Sequence, residues 1–536
     1  MYNTPSPQTF KAFINGKIYT VNDKQPFAEA VLIEKNKIIF VGSNDEVLTR
    51  TGLIPEVIDL EGKLMLPGFI DNHTHFLSGG FYISGIDLRI AKSKEEFREI
   101  LKSYIIKHPD RWITGGRWDH ETWSEVILPT KELIDDISQN NPVFVSRLDG
   151  HMGVANSFAL KLAGITKATE DPVGGFIERD PKTGEPTGIL KDNAMDLVFK
   201  VIPEHSDEEK SEALQAALDE AKRLGVTSVH DITEMNDFNF LLETHQQDKL
   251  TCRLYSRLPI TNYKKVIELI SSFKNDEIFS LGSLKGFSDG SLGSSTAWLS
   301  ESYENQEDNF GLPNDIVLDG RLEKWSKDAD KNHLQICIHA IGDKANSFLL
   351  DMYEKIKNEN PVWDRRFRIE HAQHLKDKDV KRFSELGVLA SMQPVHLLDD
   401  GNWAHKRLGE ERISSSYKIR SLIDSDADVS FGTDWPVAPL NPLFGIYAAV
   451  TRRTSDNKNP EGWIPEEKIS VEDAVRCYTL NSAYAGFQEK ILGSIETGKL
   501  ADMIVLSEDI FSISPERIKD VKIEMTIFNG EIIYRK

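Results

Sequence analysis

The sequence predicts an α/β protein, a (β/α)8 TIM barrel carrying a metal site. A small composite β-sandwich built from both chain ends and an inserted α+β subdomain accompany it. Three observations lead there. Short apolar segments alternate with amphipathic helix-like segments through the middle of the chain, the pattern of a parallel sheet covered by helices. Eight strand segments can be counted, at 66–75, 226–231, 252–258, 284–288, 334–339, 367–371, 388–393 and 429–434. Five of them carry the strong ligand candidates, His73 with His75, Lys285, His339, His371 and Asp434, and such barrels build their active sites at the C-terminal ends of the strands.

The chain opens on short strands near 12–14, 17–21, 30–34, 37–41 and 57–60, separated by turn signals such as Asn15-Gly16 and Lys35-Asn36. It closes in the same style, with strands at 502–506, 521–528 and 532–534 and a hairpin turn at Asn529-Gly530. Residues 1–65 and 490–536 therefore read as one composite β-domain. The barrel takes 66–80 and 205–489, with helix-like segments at 208–224, 322–332, 345–357 and 376–386 between its strands. The gap after the first strand is too long for one connection, so 81–204 reads as an insertion. That stretch is rich in Gly and aromatics, among them Trp112, Trp118 and Trp123, and is expected to lie over the active-site mouth.

The first barrel segment carries the strongest chemical signal. Residues 68–75 read G-F-I-D-N-H-T-H, and alternation along a strand points His73 and His75 the same way. Two imidazoles on one face, beside the carboxylate of Asp71, make a chelate for a transition metal. A bare His-X-His is weak alone, but other segments answer it. C-I-H-A-I-G-D ends a strand on His339, R-F-R-I-E-H-A-Q-H on His371, and V-S-F-G-T-D-W-P on Asp434. L-K-G-F-S-D-G-S-L places Lys285 inside a strand with Asp289 just beyond it.

Composition narrows the classes. The 536 residues exceed one compact core, so two or three domains are expected. A net charge of -21 argues against nucleic acid and against anionic membrane surfaces, which need clustered Lys and Arg. The three cysteines, Cys252, Cys337 and Cys477, are widely spaced and form no thiolate zinc motif. No secretory signal is seen, and no apolar run approaches the roughly 20 residues that span a bilayer. A cytoplasmic location, a small-molecule substrate and a homodimer, the commonest assembly, are the resulting expectations.

In this order, His73-X-His75, Lys285, His339, His371 and Asp434 resemble the metal set of the amidohydrolase superfamily. K-G-F-S-D-G-S-L-G-S at 285–294, I-H-A-I-G-D at 338–343, R-I-E-H-A-Q at 368–373, D-G-H-M-G-V-A-N-S-F-A-L at 149–160 and G-S-I-E-T-G-K-L-A-D-M-I-V-L at 493–506 are similar to the amidohydrolase-3 branch. That branch includes the YtcJ-like and the N-substituted formamide deformylase-like proteins. The resemblance runs from about residue 12 to about residue 534.

It implies one or two divalent metals, usually zinc, and hydrolysis of an amide, N-formyl, N-acyl or cyclic amide C–N bond by metal-activated water. His73, His75 and Asp434 would hold the first metal and His339 and His371 the second. Related enzymes carboxylate the lysine, so Lys285 is expected as a bridging N6-carboxylated residue; a one-metal site with unmodified Lys285 is the alternative. Asp434 is the expected general base. His151, Trp118, Asp289 and Trp435 are weaker substrate-side expectations, with His230 behind the ligands, His374 structural, and His396 and His405 on loops near the mouth. Two other functions stay open: a deaminase using Glu370 as proton shuttle, and a catalytically silent metal-binding regulatory barrel.

Overall fold

The computed structural model describes residues 10–50, 55–147, 151–172, 174–304 and 306–536. Eight parallel strands form the central sheet. In chain order they are β1 (Phe69–Thr74), β2 (Val226–Ile232), β3 (Arg253–Pro259), β4 (Phe279–Phe287), β5 (Gln335–Ala340), β6 (Arg368–His371), β7 (Leu389–Met392) and β8 (Val429–Phe431). Each pairs with the next, and the seam between β8 and β1 closes just past the strand ends. There the Asp434 amide donates to the His73 carbonyl at 2.7 Å and the His75 amide to the Trp435 carbonyl at 2.8 Å. Helices Asp207–Arg223, Arg321–Asp330, Asp343–Glu359 and Asp377–Leu386 alternate with the strands, so the expected barrel class is observed.

The strands are buried along their length, as parallel strands covered by helices must be. Two strand boundaries differ from the sequence reading. The segment 66–75 divides at Pro67-Gly68. Leu64–Pro67 pairs with Met503–Leu506 in another sheet, and β1 begins at Phe69. Pro67 has no N–H for a continuing ladder, and a Cβ at Gly68 would sit 2.2 Å from Thr227 Oγ1. Strand β4 is longer than 284–288 because Ser280, Gly282 and Ser283 interrupt the apolar pattern without breaking the pairing.

The chain divides into two compact units, Met1–Phe76 with Leu218–Lys536, and Leu77–Ala217. Besides the barrel, the first unit holds two sheets. One orders Lys37–Gly42, Ala30–Glu34, Phe10–Ile14 and Glu56–Asp59; the other mixes Lys17–Tyr19, Phe27–Ala28 and Leu64–Pro67 with Met503–Leu506, Ile523–Phe528 and Glu531–Arg535. They share a core that includes Phe13, Val31, Met65, Met503 and Ile527. The second unit is a six-stranded sheet with its own core around Phe97, Leu101, Trp118 and Ile134. Among the described residues no helix is long and apolar enough to cross a membrane.

Candidate metal centre

Six ionisable side chains meet at the C-terminal end of the barrel, from the last residues of the strands and the turns just after them. From β1, His73 Nε2 lies 3.5 Å and His75 Nε2 3.4 Å from the same oxygen, Asp434 Oδ1. Each of these three residues offers one ligand atom, all within 4.8 Å of one another. From β4, Lys285 Nζ lies 3.5 Å from His73 Nε2. The rings of His339 and His371 stand 4.4 Å apart, and those of His371 and His73 4.9 Å, centroid to centroid.

The backbone explains how His371 joins the group. Arg368 and Glu370 point into the barrel, so alternation would send His371 outward with Ile369. Left-handed backbone at His371 (φ 74°) and Ala372 (φ 44°) ends β6 and turns the imidazole back toward His339 and His73. Asp434 follows β8 on the same kind of turn, with φ 58°. Such conformations cost about 1–3 kcal/mol each in non-glycine residues and persist where the surroundings over-determine them.

Electrostatics prepare the group for a cation. Burial and the nearby Lys285 ammonium push the His73 imidazole down to about 3, and the same two causes bring His339 to about 4. Burial, with His339 alongside, holds His371 well below its ordinary value. These imidazoles are therefore neutral at physiological pH, the form that coordinates metals. Burial alone would raise Asp434, but His73, His75 and His371 outweigh it and keep the carboxylate ionised. Burial lowers Lys285 to about 8, and the lysine makes no ion pair among the described residues. His371 Nδ1 is buried with no hydrogen-bond partner. His339 Nε2 lies 3.1 Å from the Gly290 carbonyl; the imidazoles of His73, His75 and His371 with the Asp434 carboxylate are nitrogen and oxygen donors that fit a divalent transition metal.

Beneath His73 lies a second layer, in which the sequence reading placed His230 but not Glu370. Glu370 accepts from His73 Nδ1, so the imidazole presents Nε2 to the centre. The same carboxylate is gripped by Arg368 Nε at 2.7 Å, Arg257 Nη1 at 3.0 Å and Ser391 Oγ at 2.8 Å. These partners fix Glu370 under His73. A carboxylate behind a ligating histidine fixes its tautomer and raises its basicity. His230 belongs to this layer too, with Nδ1 2.8 Å from Arg368 Nη1. The signal in the sequence was Arg368-X-Glu370, two charges on one face of an otherwise apolar strand.

Asp71 is not free to chelate. Its Oδ1 accepts the amides of His73 (3.1 Å) and Thr433 (3.0 Å), and its Oδ2 accepts the Thr433 hydroxyl (2.6 Å). It ties β1 to β8 instead. The two chain segments approach so closely there that a Cβ on Gly432 would lie 2.6 Å from the His73 amide nitrogen.

An amidohydrolase family model matches residues 56–534, nearly the whole chain. The chain belongs to the amidohydrolase family. It is 41% identical over 542 residues to protein LONG AFTER FAR-RED 3 of Arabidopsis thaliana, covering 97% of this chain and 91% of that one. It is 26% identical to N-substituted formamide deformylase of Arthrobacter pascens, with 98% of each chain covered. Among solved structures, an uncharacterized metal-dependent hydrolase of Pyrococcus horikoshii superposes with a TM-score of 0.79 at 29% identity, covering 95% of this chain and 99% of that one.

The remaining expected site residues of this amidohydrolase lie elsewhere or are already engaged. Trp118 is fully buried in the second unit's core, with Nε1 donating to the Val145 carbonyl at 2.9 Å, and offers no surface to a substrate. His151 also lies in the second unit, exposed, 2.9 Å from Asp192 Oδ1. Asp149 and Gly150 of its D-G-H motif lie outside the described residues. Asp289 accepts the amides of Trp298, Ile341 and Gly342 and so fastens the loops after β4 and β5; burial raises it to about 7. Trp435 is buried, edge-on to Phe76. His374 is buried against Ser416, and His396 Nε2 lies 3.2 Å from the Thr433 carbonyl, one residue before Asp434.

Proposed function

We propose that this amidohydrolase cleaves a C–N bond of a small amide, whether N-formyl, N-acyl or cyclic, with Asp434 as general base. The observation that supports the reading best is the convergence of Asp434, His73, His75 and Lys285 at the C-terminal end of the barrel. His73, His75 and Asp434 would hold one divalent cation and Lys285, His339 and His371 a second, with zinc the first choice. Such a cation supplies a Lewis acid that polarises a carbonyl and makes water acidic near neutral pH.

The chain's own groups do the rest. Glu370 fixes His73, so the ligand nitrogen needs no reorientation. Asp434, ionised, takes a proton from the attacking water and returns it to the departing nitrogen. Lys285 is read as carboxylated. In the neutral form that burial favours, its amine would add to CO2, forming an N–C bond and releasing a proton, which leaves one negative charge shared by two oxygens that could face the cations.

Stripping the protein with a chelator is expected to abolish release of amine from a panel of N-formyl, N-acyl and cyclic amides, and added zinc to restore it. Undiminished turnover by stripped protein, or none by the zinc-loaded protein across the panel, would contradict the proposal.

A further inference from the structure

We infer that Phe287 is a specificity-determining residue, the apolar wall of the substrate cavity, and that the substrate carries a neutral aromatic or branched apolar group beside its scissile bond. The inference rests on the reading of the metal centre above and adds the chemical class of the group that centre would accept.

Phe287 is the last residue of β4, two places beyond Lys285. The residue between them faces away from the barrel axis: a Cβ on Gly286 would meet Ile338 Cδ1 and Leu322 Cδ1, on the helix-packed side of the sheet. Strand alternation therefore turns Lys285 and Phe287 inward together, with Phe287 in the layer nearer the mouth. The ring sits over Lys285 Nζ, 4.7 Å from its centroid, and 5.3 Å from the ring of His339, its register partner on β5. Lys285 is 3% and His339 9% exposed, while Phe287 is 42% exposed. The phenyl ring thus shields two of the proposed ligands on one side and keeps an uncovered apolar surface on the other.

A large aromatic left uncovered at an inward barrel position is a wall waiting for an occupant. Ligand cavities combine such walls with a few polar groups that fix orientation. Here the polar groups are those around Asp434, and the apolar wall belongs to the Lys285 and His339 side. A substrate amide directed at the centre would lay its apolar substituent on Phe287. A charged or very small substituent would leave the ring wet and gain nothing from it.

The test uses the full-length zinc-loaded protein and two inhibitors, acetohydroxamate and phenylacetohydroxamate, which share one metal-binding head and differ only in the phenyl group. Binding is measured by calorimetry for the wild type, Phe287→Leu and Phe287→Ala, with zinc content and thermal unfolding measured on each. The wild type is expected to prefer the phenyl compound by about 10–100-fold, the span of discrimination in apolar pockets. Phe287→Leu should keep part of that preference and Phe287→Ala should lose most of it, with zinc content unchanged. If both hydroxamates bind the wild type equally, or the preference survives in Phe287→Ala, the inference is overturned while the metal centre stands. If neither hydroxamate binds the zinc-loaded protein, the metal-centre reading falls and takes the inference with it.

Discussion

Replacing Asp434 by Asn is expected to lower turnover about 10²–10⁴-fold, the usual contribution of a positioned general base, while the protein stays folded. The reason for the split lies in the backbone. The structural contact of residue 434 is its amide, which donates to the His73 carbonyl at the barrel seam, and Asn keeps that amide. The residue also has left-handed backbone, φ 58°, which Asn tolerates better than most residues. What Asn lacks is the anionic oxygen facing His73 and His75, and with it the capacity to accept a proton. Circular dichroism and thermal unfolding check the fold, and kcat/KM on any amide turned over by the wild type checks the chemistry. A variant as active as the wild type would remove Asp434 from the mechanism.

Glu370→Gln is expected to have the largest effect on stability, about 3–5 kcal/mol, the cost of breaking a buried ion pair from one side. Burial would raise the Glu370 carboxyl, yet Arg368, Arg257 and His73 hold it far below its ordinary range, a measure of how strongly they surround it. Gln preserves the shape but strands two guanidinium groups inside the barrel. It also replaces the anionic acceptor behind His73 with at most a neutral amide oxygen, so zinc affinity should fall about 10–100-fold. Replacing Glu370 by Leu together with Arg368→Met should recover part of the stability, because one buried guanidinium, that of Arg257, is then left without its carboxylate instead of two, but none of the zinc affinity. Denaturant unfolding of the metal-free protein and zinc competition titrations separate the two effects. Wild-type values for both in Glu370→Gln would show that the network under His73 is idle.

Much of this arrangement was legible in the sequence for a physical reason. Parallel strands covered by helices are apolar throughout, so a His, Lys or Asp at a strand end stands out, and the barrel class says where those ends gather. His73, His75, Lys285, His339, His371 and Asp434 were found that way. The illegible parts depend on local backbone and on partners remote in sequence. Alternation alone puts Glu370, not His371, toward the barrel axis, and only the left-handed turn at His371 and Ala372 reverses the histidine. Asp71 looks like a ligand beside His73 until Thr433, 362 residues away, is brought against it. Trp118 looked like a pocket wall because large aromatics serve either walls or cores, and nothing local to residue 118 says that Phe97, Trp123 and Val145 will enclose it.

The most direct test of the shared metal centre is zinc stoichiometry, measured after loading the folded protein and removing free metal, for the wild type and His371→Ala. The account predicts about two zinc ions per chain in the wild type and loss of one of them in the variant. A folded wild-type protein that retains no zinc, or one zinc that His371→Ala leaves untouched, would contradict it.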